Sequence, residues 1–181
     1  AETLVPLIDS DKKKAIKKVL SILEKYPDYF QKNWTESMKR KIGLKVNNNI
    51  NAKLATDFLE ILHTNNVDFT LAFRNLSYFL DKNSLNDKFF TLFKEQKKIR
   101  DWVRLWESRL IKEKDNKIKI LSDMKQINPF VIPRNHIVEE TINKTLNKNY
   151  VLLDEFLEVM KNPFSETENK KFISPPKINE Q

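Results

Sequence analysis

"NPFVIPRNHIVEE", residues 128–140, interrupts a lysine-rich chain whose apolar residues otherwise recur at helical spacing. Pro129 disfavours helix at Asn128, and Pro133 does so at Ile132, because each proline ring crowds the residue before it. A helix must therefore stop at Asn128. Phe130, Val131 and Ile132 then form a short apolar connector, expected to be extended and buried. A new stripe follows in Ile137, Val138, Thr141, Ile142 and Leu146. Asn135 is the expected N-cap of that helix, and Glu139 and Glu140 fall in its first turns, where negative charge suits the helix dipole. The stretch reads as a joint between two helices.

Working outward from this joint, the same grammar repeats. A helix fits Ser10 to Lys25, with Ala15, Ile16, Val19, Leu20, Leu23 and Tyr26 on one face. Pro27 sits at a first-turn position of the next helix, where Phe30, Trp34, Met38 and Ile42 recur every four residues. Gly43, the only glycine, stands where a left-handed C-terminal cap is wanted. "NNNIN" at 47–51 supplies an asparagine N-cap for a stripe of Leu54, Phe58, Leu59, Ile61 and Leu62. Asp68 caps a helix through Phe69, Phe73, Leu76 and Leu80.

"DKNSLND" at 81–87 is a turn, and a long helix is expected from about Asn86 to Lys114, carrying Phe89, Phe93, Trp102, Leu105, Trp106 and Leu110. Asp115 is the expected cap of a short helix running to Asn128. After the joint, a last helix spans about Tyr150 to Lys161 with Leu153, Phe156, Leu157 and Met160 inward, closed by "NPF" at 162–164. No alternating strand pattern and no repeat of helix-hairpin length occurs. The expectation is an all-α, irregular multi-helix domain of about seven to nine helices over residues 1–164. Residues 165–181 read as an extended polar tail.

Composition narrows the chemistry. One glycine among 181 residues leaves no glycine-rich phosphate-cradling loop, and with no cysteine there is neither thiolate nucleophile nor thiolate metal site. No apolar run approaches the roughly 20 residues that span a bilayer. The net charge of +8 invites a nucleic-acid reading. Against it, only six of the basic residues are arginines, the better readers of bases and phosphates, and the bias toward Lys, Asn, Ile and Phe matches AT-rich coding. "AETLVPLID" reads like the middle of a helix, so a longer parent protein is expected.

Candidate groups each have a structural explanation beside the functional one. His63 and His136 lie 73 residues apart with no histidine or cysteine partner nearby. A metal site there would need unidentified carboxylates, and surface or hydrogen-bonded histidines are the expectation. Glu139 and Glu140 could do acid–base work, but adjacent helix positions diverge by about 100°, which favours a solvated face. Arg134, at the joint, is expected to tie carbonyls orphaned at helix ends, with phosphate binding as the alternative. Trp102 and Trp106, four apart, offer either a base-stacking surface or, as expected, core. The clusters "DKKKAIKKV" and "KEQKKIR" read as solvated faces.

The joint also carries a family resemblance. Asn128-Pro129, Ile132-Pro133-Arg134-Asn135-His136 and Val138-Glu139-Glu140 resemble the C-terminal region of the selenoprotein O (SelO, YdiU) family. "AETLVPLID" resembles the helix just after that family's kinase-like core, and "MKRKIGL" the following helix end. "DFTLAFRNLS" resembles its Asp-Tyr-Thr…Phe-Arg-x-Leu-Ser segment, "W…W…RL" its arginine- and tryptophan-bearing helix, and "NPF…PP" its near-terminal stretch. The match runs in order over nearly the whole chain.

The resemblance implies that this chain is the C-terminal part of a protein-kinase-like (pseudokinase) SelO fold. The parent would be a protein adenylyltransferase that binds ATP in a flipped orientation with Mg or Mn and transfers AMP to Ser, Thr or Tyr of protein substrates. In the family, the nucleotide-binding lysine, its glutamate partner, the catalytic aspartate and the metal-binding Asn/Asp all lie upstream. No catalytic, cofactor-binding or metal residue is therefore assigned here. The implied partners are the missing kinase-like catalytic lobe and the parent's protein substrates, with no nucleic acid and no membrane. The implied compartment is the bacterial cytoplasm, or the mitochondrion for a eukaryotic parent. Family members often continue past the proline pair to an aromatic and cysteine or selenocysteine tail, whereas this chain ends in "PPKINEQ". The face left by the catalytic lobe should be an apolar patch. The rival reading is a basic helical nucleic-acid-binding or scaffold module.

Overall fold

Side-chain caps start five of the helices seen in the computed structural model, which describes residues 2–46, 48–81 and 89–176, and a glycine ends one. After a 3-10 turn at Glu2–Leu4 come α1 (Val5–Ile8), α2 (Lys12–Leu23), α3 (Tyr26–Lys41), α4 (Asn49–Asn65) and α5 (Phe69–Phe79). These are followed by α6 (Gln96–Leu110), α7 (Lys117–Ile127), α8 (Asn135–Leu146), α9 (Val151–Lys161) and α10 (Lys170–Ile173). Eight of these helices have eleven or more residues, and no strand occurs among the described residues. The domain is all-α.

The Asp11 carboxylate accepts from Lys13 and Lys14 N–H at the start of α2, Asn48 does the same for Asn51 in α4, and Asp68 for Leu71 in α5. Each satisfies an N–H that the first helical turn leaves without an intrahelical partner. Pro27 lies in the first turn of α3. At its other end Gly43 takes φ +75°, with Gly43 N–H donating to Arg40 O and Leu44 N–H to Lys39 O, both at 3.0 Å. That paired pattern is the Schellman C-cap. A Cβ on Gly43 would stand 2.7 Å from Ile120 Cγ2 and 2.8 Å from Met124 Sδ, so close approach of α7 also requires glycine.

Several boundaries differ from the expectation. The long helix of 86–114 is shorter: α6 begins only at Gln96. Phe89 and Phe90 are helical, a turn at 91–92 separates them from α6, and both are buried with Phe93, while Asn65 Oδ1 accepts the Glu95 N–H at 2.9 Å. Residues 82–87 of the expected turn and Asn47 of the "NNNIN" turn lie outside the described residues. Asp115 does not cap α7; Asn116 does, while Asp115 pairs with Lys45. Arg134 rather than Asn135 occupies the N-cap position of α8, so Glu139 and Glu140 sit in its second turn. Nor is "AETLVPLID" one helix, since α1 ends at Ile8 with Asp9 extended.

Two apolar cores result among the described residues. The larger gathers the end of α3, α4, α5, the 89–93 segment, α6 and α7 around Ile42, Phe58, Phe73, Leu76 and Trp106. The smaller holds Val131, Ile137, Leu152 and Phe172, with Phe130 and Phe156 against it. In α9 the buried residue is Leu152, and Leu157 points outward. The stretch 165–176 is not extended throughout: Asn169 caps the single turn α10, and Phe172 is buried and stacked on Phe156 at 5.9 Å between centroids. Residues 177–181 lie outside the described residues.

Candidate functional site

The joint read from the sequence lies at the boundary between the two cores, and polar side chains stitch that boundary. Pro129 ends α7 at Asn128, whose N–H still reaches Met124 O. Asn128 is buried, and its amide nitrogen donates to Lys41 O, in the last turn of α3, at 2.8 Å. Lys41 Nζ returns a 3.3 Å bond to Asn128 Oδ1 and stands over the rings of Phe69 and Phe73. Desolvation pushes the Lys41 ammonium pKa down. Beyond the joint, the N–H groups of Phe130 and Val131 both donate to Pro163 O, at 2.8 and 3.0 Å. Val131 is buried, whereas Phe130 and Ile132 are half-buried.

Arg74 of α5 is the strongest tie. Its Nη1 donates to Lys125 O and Asn128 O, each at 3.0 Å, which are carbonyls left open at the end of α7. Its Nε donates to Tyr78 Oη at 3.0 Å, and its guanidinium lies 5.2 Å from the Phe130 ring centroid. Tyr78 in turn donates to Glu166 Oε1 at 2.7 Å, which ties the segment after α9 to α5. Burial, followed by that bond to a carboxylate, pushes the Tyr78 phenol up to about 12. The Tyr78 hydroxyl first, helped by Lys125 and Arg74, outweighs partial desolvation and holds the Glu166 carboxyl below its usual range.

Arg134 is buried and grips Asp68 with two parallel bonds, Nη1 to Oδ2 at 2.7 Å and Nη2 to Oδ1 at 3.0 Å. The expectation that Arg134 would tie orphaned carbonyls is corrected in its partner: it holds the carboxylate that caps α5, and Arg74 holds the carbonyls. The sequence carried a signal for Arg74, a lone cation inside the apolar run "DFTLAFRNLSYFL". Burial works to raise the Asp68 pKa, but the guanidinium and the N–H groups of Leu71 and Thr70 outweigh it and leave it lowered.

The remaining candidates are not brought together. His63 is exposed on α4 and His136 half-buried on α8. Glu139 is exposed, and Glu140 forms 2.8 Å ion pairs with Lys144 and Lys171. Among the described residues no group of three or more His, Asp or Glu is arranged to hold a metal ion. Trp102 and Trp106 stack on each other in the larger core, and their indole N–H groups donate to Leu54 O and Ile42 O. No described helix is long and apolar enough to cross a membrane.

The second feature is an uncovered apolar face. In α2 only Ala15 is buried; Ile16, Leu20 and Leu23, on the predicted stripe, are exposed. Among the described residues, ten of the 22 large apolar side chains that are exposed fall within the first thirty positions. Among the described residues, none before Met38 belongs to either core. Val5 and Pro6 of α1 face Ile16, Val19, Leu20 and Leu23 of α2 across an open groove of about 800 Å³.

Comparison with known proteins places this geometry. The family model described as Protein adenylyltransferase SelO matches residues 1–161. The chain is similar to the protein nucleotidyltransferase YdiU of Rhizobium etli, 31% identical over 182 residues, covering 99% of this chain and 36% of the relative. It is likewise similar to the protein nucleotidyltransferase YdiU of Bacillus cereus, 32% identical over 178 residues, covering 97% of this chain and 35% of the relative. That of Bacillus anthracis is 31% identical with the same coverage. The chain thus spans about a third of the length of the curated relatives it matches.

Proposed function

Because the chain belongs to the SelO family, we propose that it is the non-catalytic helical part of a SelO-type protein adenylyltransferase. In this reading the whole protein transfers AMP from ATP, with Mg or Mn, to hydroxyl groups of protein substrates. The residues that grip the nucleotide and metal belong to the part of the polypeptide outside this chain, a kinase-like lobe. The role of the present helices is to hold that lobe in its working arrangement.

The observation that carries the proposal is the direction of the two guanidinium groups at the boundary. An adenylyltransferase must neutralise a triphosphate, and buried arginines are the natural groups for it. Arg74 and Arg134 instead point at the ends of neighbouring helices. The lone glycine does not fit a phosphate loop either, since Gly43 is a C-cap packed on Ile120 and Met124. The burial of both α6 indoles counts against their use as a base-stacking pair.

Labelling with radioactive ATP tests the division of labour. The full-length protein incubated with Mg or Mn is expected to attach AMP to protein, while the 181-residue chain alone neither becomes labelled nor gives heat on titration with Mg-ATP. AMP transfer by the isolated chain, or saturable heat on its titration with Mg-ATP, would overturn the proposal.

A further inference from the structure

We infer that the face formed by α1, α2 and the first half of α3 is an intramolecular docking surface whose occupant is the remaining part of the same polypeptide. This rests on the family reading above, and names the surface through which the two parts meet. A twelve-residue helix is marginal in water without tertiary packing. Here α2 exposes Ile16, Leu20 and Leu23 on one side and Lys14, Lys17 and Lys18 away from it. Such an arrangement is amphipathic, and its apolar half lacks a cover. Tyr26, Tyr29 and Phe30 extend the same exposed character into α3. Tyrosines suit a contact with one apolar and one wet edge.

The occupant follows from the length relation. About two thirds of each relative lies outside the region this chain matches. The family match covers residues 1–161, so α1, α2 and α3 belong to the family's shared architecture. In a relative, the remaining length is covalently joined to the region that these helices match. Tethering of this kind gives an effective concentration in the millimolar range, which a second copy in dilute solution does not match. The lysine edges of α2 favour an occupant with an apolar centre and an acidic rim.

Thiol footprinting tests the inference without using nucleotide. The chain has no cysteine, so Leu20→Cys and Lys14→Cys report on opposite sides of α2. Both positions are exposed, so neither substitution disturbs the cores. Alkylation by iodoacetamide is followed at each position by peptide mass spectrometry, in the full-length protein and in the 181-residue chain. The thiol at position 20 is expected to react at least about tenfold more slowly in the full-length monomer than in the isolated chain, with no difference at position 14. Equal rates at position 20 would overturn the docking surface. Concentration-dependent protection in the isolated chain, with a dimer in sedimentation, would assign the face to a second copy and overturn it also. Either result leaves the division of chemistry to its own labelling test.

Discussion

Arg134 and Asp68, 66 residues apart, meet in a two-pronged ion pair of 2.7 and 3.0 Å whose carboxylate also caps α5 through the Leu71 N–H. One contact therefore fixes the start of α5 and the start of α8 against each other. Arg134 Nε is buried with no hydrogen-bond partner among the described residues, so the pair carries a desolvation cost that its geometry must offset.

Replacing only one partner should expose that cost. Arg134→Met is expected to destabilise the chain by about 2–4 kcal/mol, because it leaves Asp68 partly buried beside an apolar side chain. Arg134→Lys should recover little, since an ammonium cannot span both oxygens. The double variant Asp68→Asn, Arg134→Met should be less damaged than the sum of its parts. Urea unfolding midpoints measure all three, and strict additivity would contradict direct coupling.

The same pair makes stability sensitive to acid. Asp68 has a folded pKa lowered from 3.8, so its contribution is fully present above 3.8 and is lost as pH falls through the lower folded value. Denaturation curves collected down a pH series should show this loss in the natural chain. In Arg134→Met the acid-dependent component should shrink, and an unchanged pH profile would count against the assignment.

Arg74 should be the most sensitive polar position. Arg74→Met withdraws donors from Lys125 O and Asn128 O and is expected to cost about 2–4 kcal/mol. Glu166→Gln, at an exposed carboxylate, should cost less than about 1 kcal/mol. Thermal unfolding followed by circular dichroism ranks the two. A larger effect at Glu166 would contradict the buried guanidinium as the stronger tie.

Tyr78 supplies a spectroscopic readout of the same cluster. Its phenol is pushed up to about 12, so absorbance titration should retain a late tyrosinate component that disappears in Tyr78→Phe. Because the folded pKa is raised above 10.0, the linked stability is fully present below that value and is lost as pH rises through about 12. Glu166→Gln should move the late component to lower pH.

Left-handed positions should respond unequally. Gly43→Ala is expected to cost about 2–4 kcal/mol, combining backbone strain at φ +75° with contact against Ile120 and Met124. Asn66 also ends a helix at φ 54°, but lies on the surface, and Asn66→Gly should change stability by less than about 0.5 kcal/mol. Chemical denaturation of the two variants distinguishes close packing from backbone geometry alone.

Local chemistry was legible in the sequence, and distant chemistry was not. Gly43, Asn48, Asp68 and the Pro129–Pro133 pair act on residues within one helical turn, so their roles could be read directly. The start of α6 depends on Asn65, thirty residues away, and the true partner of Arg134 depends on how two cores meet. Likewise Leu152 is buried in place of Leu157, and Phe172 in a polar tail, because α9 turns toward Val131. The uncovered face was foreseeable from the family resemblance, since its apolar stripe has no complement elsewhere among the described helices.

The shared carbonyl of Pro163 has an evolutionary consequence. Accepting both the Phe130 and Val131 N–H groups, it brings the entry and exit of the α8–α9 hairpin to one point, so the strands of chain leaving it are spaced independently of the hairpin's length. The exposed tip at Asn147–Asn149, where Lys148 already adopts φ 60°, is thus the natural place for homologous chains to gain or lose residues. Grafted epitopes or affinity tags should be carried there without disturbing the rest.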